Sequence, residues 1–154
     1  VIRIGTSGAN REDIKLLDII LADSSFSLSN FLYLFDEYDK DEVEASVMLN
    51  QEIEKISNEL NINIKKGKII CTDVFNPYVD SIEKYNSHYP VNLNSLASEM
   101  ESFALFYMAK KFNRQATCLL TVVDSPFDER IVTSSDREKS LDDMIILALE
   151  AIIK

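Results

Sequence analysis

Arg3 and Asp124 are charged residues set into apolar, strand-like runs of this 154-residue chain. Arg3 interrupts Val1-Ile2-Ile4, and a guanidinium buried there needs an anion or a carboxylate beside it. Gly5, Thr6, Ser7 and Gly8 follow at once. Glycines allow successive N–H groups to converge on one spot, and the two hydroxyls add donors, so the segment reads as a strand feeding an anion-binding turn. The same residues also read as a strand and an ordinary tight turn. Asp124 ends a run of apolar residues and threonine and precedes Ser125-Pro126. A carboxyl group at the mouth of a buried strand is partly desolvated, which raises its pKa and suits it to act as an acid; a turn-forming Asp before proline is the alternative. Glu101 closes Ser98-x-x-Glu101, a capping-box spacing, or offers a carboxylate to two vicinal sugar hydroxyls. Phe75 is either core or a face on which a flat ring stacks.

The elements that must position these groups alternate between strand and helix. Strands are expected at Val1 to Ile4, Leu16 to Leu21, Ile62 to Thr72 (with Gly67 as a bend or bulge) and Ala116 to Val123. Helices are expected from the acidic run Asp39 to Glu44 through Leu60, with Leu49, Ile53, Ile56 and Leu60 as the apolar stripe, and briefly around Val79 to Tyr85. Another leads from Ser98 through Phe112. A last one runs from Ser135 to Ile153, opening on the capping-box pattern Ser135-Asp136-Arg137-Glu138 and turning Leu141, Ile145, Ala148 and Ile152 inward. Phe26 to Tyr38 and Asn86 to Leu96 read as irregular, the first as a wall or subunit contact. The alternation predicts a single α/β domain with a mixed, largely parallel sheet. In such sheets ligands bind beyond the carboxyl ends of strands, which is where Arg3 to Gly8, Phe75 and Asp124 fall.

Composition narrows the function. A formal charge of −10 argues against nucleic acid, whose phosphates require clustered Lys and Arg. One histidine, His88, and two distant cysteines, Cys71 and Cys118, make no metal-ligand set. The cysteines read as buried free thiols of a reducing compartment. With neither a membrane span nor a signal pattern, the expectation is a cytoplasmic protein. The chain enters a strand at Val1 without a Met, which suggests sequence upstream.

Ile2-Arg3-Ile4-Gly5-Thr6-Ser7-Gly8-Ala9, Phe75, Glu99-Met100-Glu101, Thr121-Val122-Val123-Asp124, Arg137 and Asp143-Met144-Ile145, in this order, resemble the bacterial hexameric type of purine nucleoside phosphorylase, within the nucleoside phosphorylase and uridine phosphorylase superfamily. The resemblance covers the whole chain, which matches the family's C-terminal two-thirds. It implies a three-layer α/β/α fold lacking its N-terminal strands, and reversible phosphorolysis of purine nucleosides to free base and pentose 1-phosphate. It assigns Arg3 and Thr6 to phosphate, Met100 and Glu101 to ribose, and Ser7, Gly8, Phe75, Ser98 and Glu99 to the base. Asp124 corresponds to the acid that protonates purine N7, and Arg137 to the residue assisting that transfer. No cofactor or metal is implied beyond inorganic phosphate as co-substrate, and the family forms hexamers built from dimers. Val123 departs from a usual Ser, and Ser98 from a usual small apolar residue.

Two alternatives compete. Nucleosidases of the superfamily, acting on methylthioadenosine or adenosylhomocysteine, use water and usually lack the arginine matching Arg3. A truncated, non-catalytic paralogue would keep the fold without the activity.

Overall fold

The computed structural model describes residues 1–130 and 132–153, apart from the side chains of Pro77, Arg137, Lys139 and Ser140. Along the chain lie β1 (Ile2–Ala9), β2 (Ile19–Phe26), α1 (Phe31–Asp36), β3 (Glu42–Glu44), α2 (Val47–Leu60), β4 (Ile64–Cys71), a 3-10 turn (Asn76–Tyr78), α3 (Ile82–Asn86), β5 (Ala97–Glu99), α4 (Ser102–Lys111), β6 (Thr117–Asp124) and α5 (Ser134–Ile153). Strand β6 shows how the core divides. Cys118, Leu120 and Val122 join Phe103, Phe106 and Tyr107 of α4 in one cluster. Leu119 joins Ile53 and Ile56 of α2 and Met144, Leu147 and Ala148 of α5 in another. The two-residue period of the strand thus places helices on both faces, giving three layers.

The strands follow the order β3-β2-β4-β5-β1-β6. The long pairings β1–β6 and β2–β4 are parallel, as is β4–β5. The pairings β1–β5, β2–β3 and β2–β6 are antiparallel. One edge of β2 serves two partners: Ile19 to Leu21 pair with β6, and Ser24 to Phe26 pair with β3. The mixed sheet therefore closes on itself through β2-β4-β5-β1-β6.

Several expectations need correcting. The expected glycine turn does not exist: β1 runs unbroken through Gly5 and Gly8, and no glycine has positive φ. Strand β2 continues past Leu21 because Ser25, though polar, is satisfied inside by the Ser102 hydroxyl at 2.7 Å. The segment from Asp39 to Glu44 is not helical. Val43 is buried and pairs with Ser25 as part of a short edge strand. Helix α2 begins only after Ser46, whose hydroxyl accepts from the Leu49 N–H at 3.3 Å. Its buried face is Asn50, Ile53, Ile56 and Ser57, while Leu60 is exposed. Opposite Gly67 the irregularity belongs to β2, where Asp23 is the extra residue between Ala22 and Ser24. At α5 the cap is Thr133, not Ser135: its hydroxyl accepts from the Asp136 N–H at 3.2 Å and donates to the Asp136 carboxylate at 2.6 Å. Ile152, expected inward, is exposed.

Candidate active site

At the start of β1, the Arg3 guanidinium meets two carboxylates. Nη1 lies 3.3 Å from Glu99 Oε2, and Nη2 donates to Glu101 Oε2. Nη1 also donates to Cys118 Sγ at 3.4 Å, the register partner of Arg3 on β6. Burial pushes the Cys118 thiol up to about 12, so it faces Arg3 as a neutral acceptor. The two glutamates hold the arginine for different reasons. Glu99 is 5% exposed and caps α4: its oxygens accept from the N–H of Glu101 at 2.9 Å and of Ser102 at 3.1 Å. Glu101 is exposed, and its side chain makes no capping bond. The expected capping box from Ser98 to Glu101 is therefore replaced. Ser98 lies in β5, and the cap comes from Glu99. Arg3 so joins a structural carboxylate to one that is available to a ligand.

Further along β1, Asp124 is set over Gly8. The register between β1 and β6 runs regularly from Ile2–Thr117 to Ser7–Val122, then pairs Gly8 with Asp124, leaving Val123 as an extra residue. In a regular ladder, with Val123 paired in turn, Asp124 would share the face of Val122, which is buried in the α4 cluster. The bulge turns it to the opposite face instead, beside Gly8. There Asp124 is exposed, so the desolvation expected for it does not apply in this structure. Ser98 is the partner of Gly8 on the other side, across β5.

Gly8, Ser98 and Asp124 line a cleft of about 740 Å³ that also contains Asn10, Thr72, Asn76, Tyr85 and Tyr89. Neither Arg3 nor Glu101 belongs to its lining. Thr6 is three residues from Arg3 on a continuous strand, so it stands on the other face of β1, where it is exposed. Ser7 shares the face of Arg3 and is buried, and its hydroxyl has no partner among the described residues. Met100 is exposed between Glu99 and Glu101. Phe75 is also exposed; its ring packs edge-on against Tyr78 with centroids 5.5 Å apart, and its neighbour Asn76 reaches the cleft. The side chain of Arg137 lies outside the described residues; its backbone is in the first turn of α5. The structure thus gathers two groups: Arg3 with Glu99 and Glu101, and Gly8 with Ser98 and Asp124.

Sequence reasoning missed Asn10, Tyr85 and Tyr89. Tyr85 lies in α3 and Tyr89 in the bend that follows it, and their hydroxyls meet at 3.0 Å. Asn10 carried a weak signal, as the polar residue that ends an apolar strand. Among the described residues no group of three His, Cys, Asp or Glu side chains could hold a metal ion, and no helix is long and apolar enough to cross a membrane.

Comparison with known proteins places this geometry in context. The model of the phosphorylase superfamily matches residues 1–152. A purine nucleoside phosphorylase, DeoD-type, of Brevibacillus brevis is 37% identical over 153 residues, covering 98% of this chain and 63% of that protein. The same type of enzyme from Alkaliphilus metalliredigens is 36% identical over 152 residues, covering 97% of this chain and 63% of its own length. This chain therefore spans somewhat less than two-thirds of these relatives. Among solved structures, a 5'-methylthioadenosine/S-adenosylhomocysteine nucleosidase of Helicobacter pylori superposes with a TM-score of 0.74 at 25% identity, covering 99% of this chain and 67% of that one. A futalosine hydrolase mutant from the same species superposes with a TM-score of 0.78 at 23% identity and supports the fold alone.

Proposed function

This chain belongs to the phosphorylase superfamily, and from that premise we propose that it is a purine nucleoside phosphorylase, carrying out reversible phosphorolysis of purine ribo- or deoxyribonucleosides. The observation that carries the reading is the contact of Arg3 with Glu101. A cation suited to phosphate and an exposed carboxylate suited to vicinal hydroxyls meet at one point. Phosphorolysis requires such a meeting, because phosphate must attack the sugar carbon that bears the base. The names of the curated relatives support the same reaction.

In this reading Glu101 accepts hydrogen bonds from the ribose hydroxyls, with Met100 against the sugar. Arg3 orients phosphate, and Thr6, on the other face of β1, reaches the phosphate only if the strand shifts on binding. Breaking the N-glycosidic bond leaves electrons on the purine and positive charge on the sugar. Asp124, desolvated once the base covers it, carries the proton that passes to purine N7 and so neutralises the leaving group. The anionic phosphate stabilises the oxocarbenium-like sugar and then bonds to it, yielding pentose 1-phosphate. Arg137 assists the proton transfer, Gly8 and Ser98 border the base with Phe75 at its margin, and Ser7 and Glu99 support it from the Arg3 side of the sheet. No cofactor takes part. The chain acts as a homo-oligomer, for which the exposed Phe31, Tyr33, Leu34 and Phe35 of α1 offer an apolar contact surface.

The test is incubation with inosine or adenosine, with and without phosphate. Release of free base together with an equal amount of pentose 1-phosphate, only when phosphate is present, is the expected result. Release without phosphate would assign the chain to hydrolysis, as in the nucleosidases. Absence of release under both conditions would leave the fold without the activity.

A further inference from the structure

Beyond Gly8, the face bearing Asp124 continues to Asn10. The Asn10 N–H donates to the Leu96 carbonyl at 3.0 Å, extending the β1–β5 pairing one residue past the end of β1. Its carboxamide is held from both sides. Oδ1 accepts from the Ser98 hydroxyl at 2.8 Å, and Nδ2 donates to the Ser95 hydroxyl at 2.9 Å. Ser95 is buried, and all three residues line the cleft with Gly8 and Asp124. A carboxamide offers two N–H donors and two acceptor lone pairs. The serines use one of each, so one donor and one acceptor remain. At the rise of a strand, Asn10 stands about 7 Å further along β1 than Gly8, a separation on the scale of a fused two-ring base.

We propose that Asn10, aligned by Ser95 and Ser98, is a specificity-determining residue that reads the six-membered-ring edge of the purine, at the ring nitrogen and its 6-substituent. The assignment rests on the purine phosphorylase reading: with N7 at Asp124, the 6-substituent lies beside N7 and N1 is the next ring atom beyond it, so a base extending along β1 brings both to Asn10. A 6-oxo purine presents an acceptor beside a donor on that edge, and a 6-amino purine presents a donor beside an acceptor. Serine hydroxyls can each donate or accept, so the amide can turn over between them without losing either bond. Asn10 therefore rewards a 6-substituent of either kind and offers less to a purine without one. Ser98, which departs from the apolar residue usual at its position, acts here as a positioning residue for the amide.

The experiment is calorimetric titration of the whole chain with inosine, adenosine and unsubstituted purine riboside, alongside the phosphate-dependent assay. The native chain is expected to bind the two substituted nucleosides about tenfold more tightly than purine riboside, the worth of one good hydrogen bond. Asn10→Leu is expected to bind all three within about twofold of one another, and Asn10→Ser, a milder change to the cleft, is expected to lose most of the preference. Retention of the native preference in both variants overturns the assignment while leaving the phosphorylase reading intact, provided phosphate-dependent release persists. Failure of the native chain to bind any of the three and to release base overturns both.

Discussion

A Cβ added to Gly8 would collide with the Asp124 carboxylate. The absence of that atom is what allows Asp124 to lie across β1. Gly5 clears space in the same way for Arg3, since a Cβ there would stand 2.7 Å from Nη1. Neither glycine has a positive φ, so alanine at either position leaves the backbone unstrained. Gly8→Ala is therefore expected to leave the melting temperature nearly unchanged, because the exposed Asp124 can swing away. Base release should fall at least about tenfold as the acid leaves its place. Gly5→Ala should instead raise the KM for phosphate with a smaller effect on nucleoside binding. Equal losses of stability and activity in Gly8→Ala would count against this separation.

Glu99 and Glu101 both contact Arg3 but should behave differently when changed. Glu99→Gln weakens a buried cap on α4 and an ion pair at once, and the expected cost is about 1–3 kcal/mol in urea unfolding. Glu101→Gln alters an exposed carboxylate, for which a change below about 1 kcal/mol is expected. Its effect should fall on nucleoside turnover. Arg3→Met removes the cation that faces buried Glu99, so it should both destabilise the fold and abolish phosphate dependence.

The pairing of Arg3 with Glu101 also has a thermodynamic consequence. A nucleoside that engages Glu101 frees the guanidinium for phosphate, and phosphate that engages Arg3 frees the carboxylate for ribose. The two ligands should therefore bind with positive coupling, each tightening the other by the same factor. Titration of nucleoside with and without phosphate is expected to show about 5-fold tighter binding or more in its presence, and Glu101→Gln should lose the coupling. Independent binding in the native protein would contradict it.

Both cysteines make stability depend on alkaline pH. Burial pushes the Cys71 and Cys118 thiols up to about 12 from an ordinary 9.0. Between those values the unfolded chain releases protons that the folded chain keeps, so stability is fully present below pH 9 and falls as pH rises toward 12. Each thiol contributes at most about 4 kcal/mol across that window. Urea midpoints at about pH 8 and 10.5 should differ clearly, and Cys71→Ala should reduce the difference. A midpoint insensitive to this change would show that the two thiols do not carry the effect.

The elements best read from sequence were those whose signal is local. Strand β6 announces itself by a continuous apolar run and α5 by helical spacing, so the position of Asp124 at a strand end was legible. Its orientation was not, because a single extra residue at Val123 leaves no mark in composition yet decides which face the carboxylate occupies. Gly5 and Gly8 looked like a turn because glycine marks both freedom and space, and only the neighbouring side chains distinguish the two. Strand β3 was hidden by its acidic residues, which suit a helix start equally well; its pairing with Ser24 to Phe26 lies outside any local window. The Asn10–Ser95 bond joins residues 85 positions apart and could not be read from spacing.

Closure of the strands through β2 and β6 also bears on solubility. Among the described residues, β3 is the one strand with a single neighbour. It is three residues long and bears Glu42 and Glu44. Short, charged edges resist pairing with foreign strands. The longer strands are less well covered: β5 pairs only with Gly8 and Ala9 of β1 and with Ile69 to Cys71 of β4, so on that side Ile2 to Ser7 and Ile64 to Gly67 have no strand neighbour among the described residues. Those stretches, and not the short acidic β3, are where the backbone is open to a further strand.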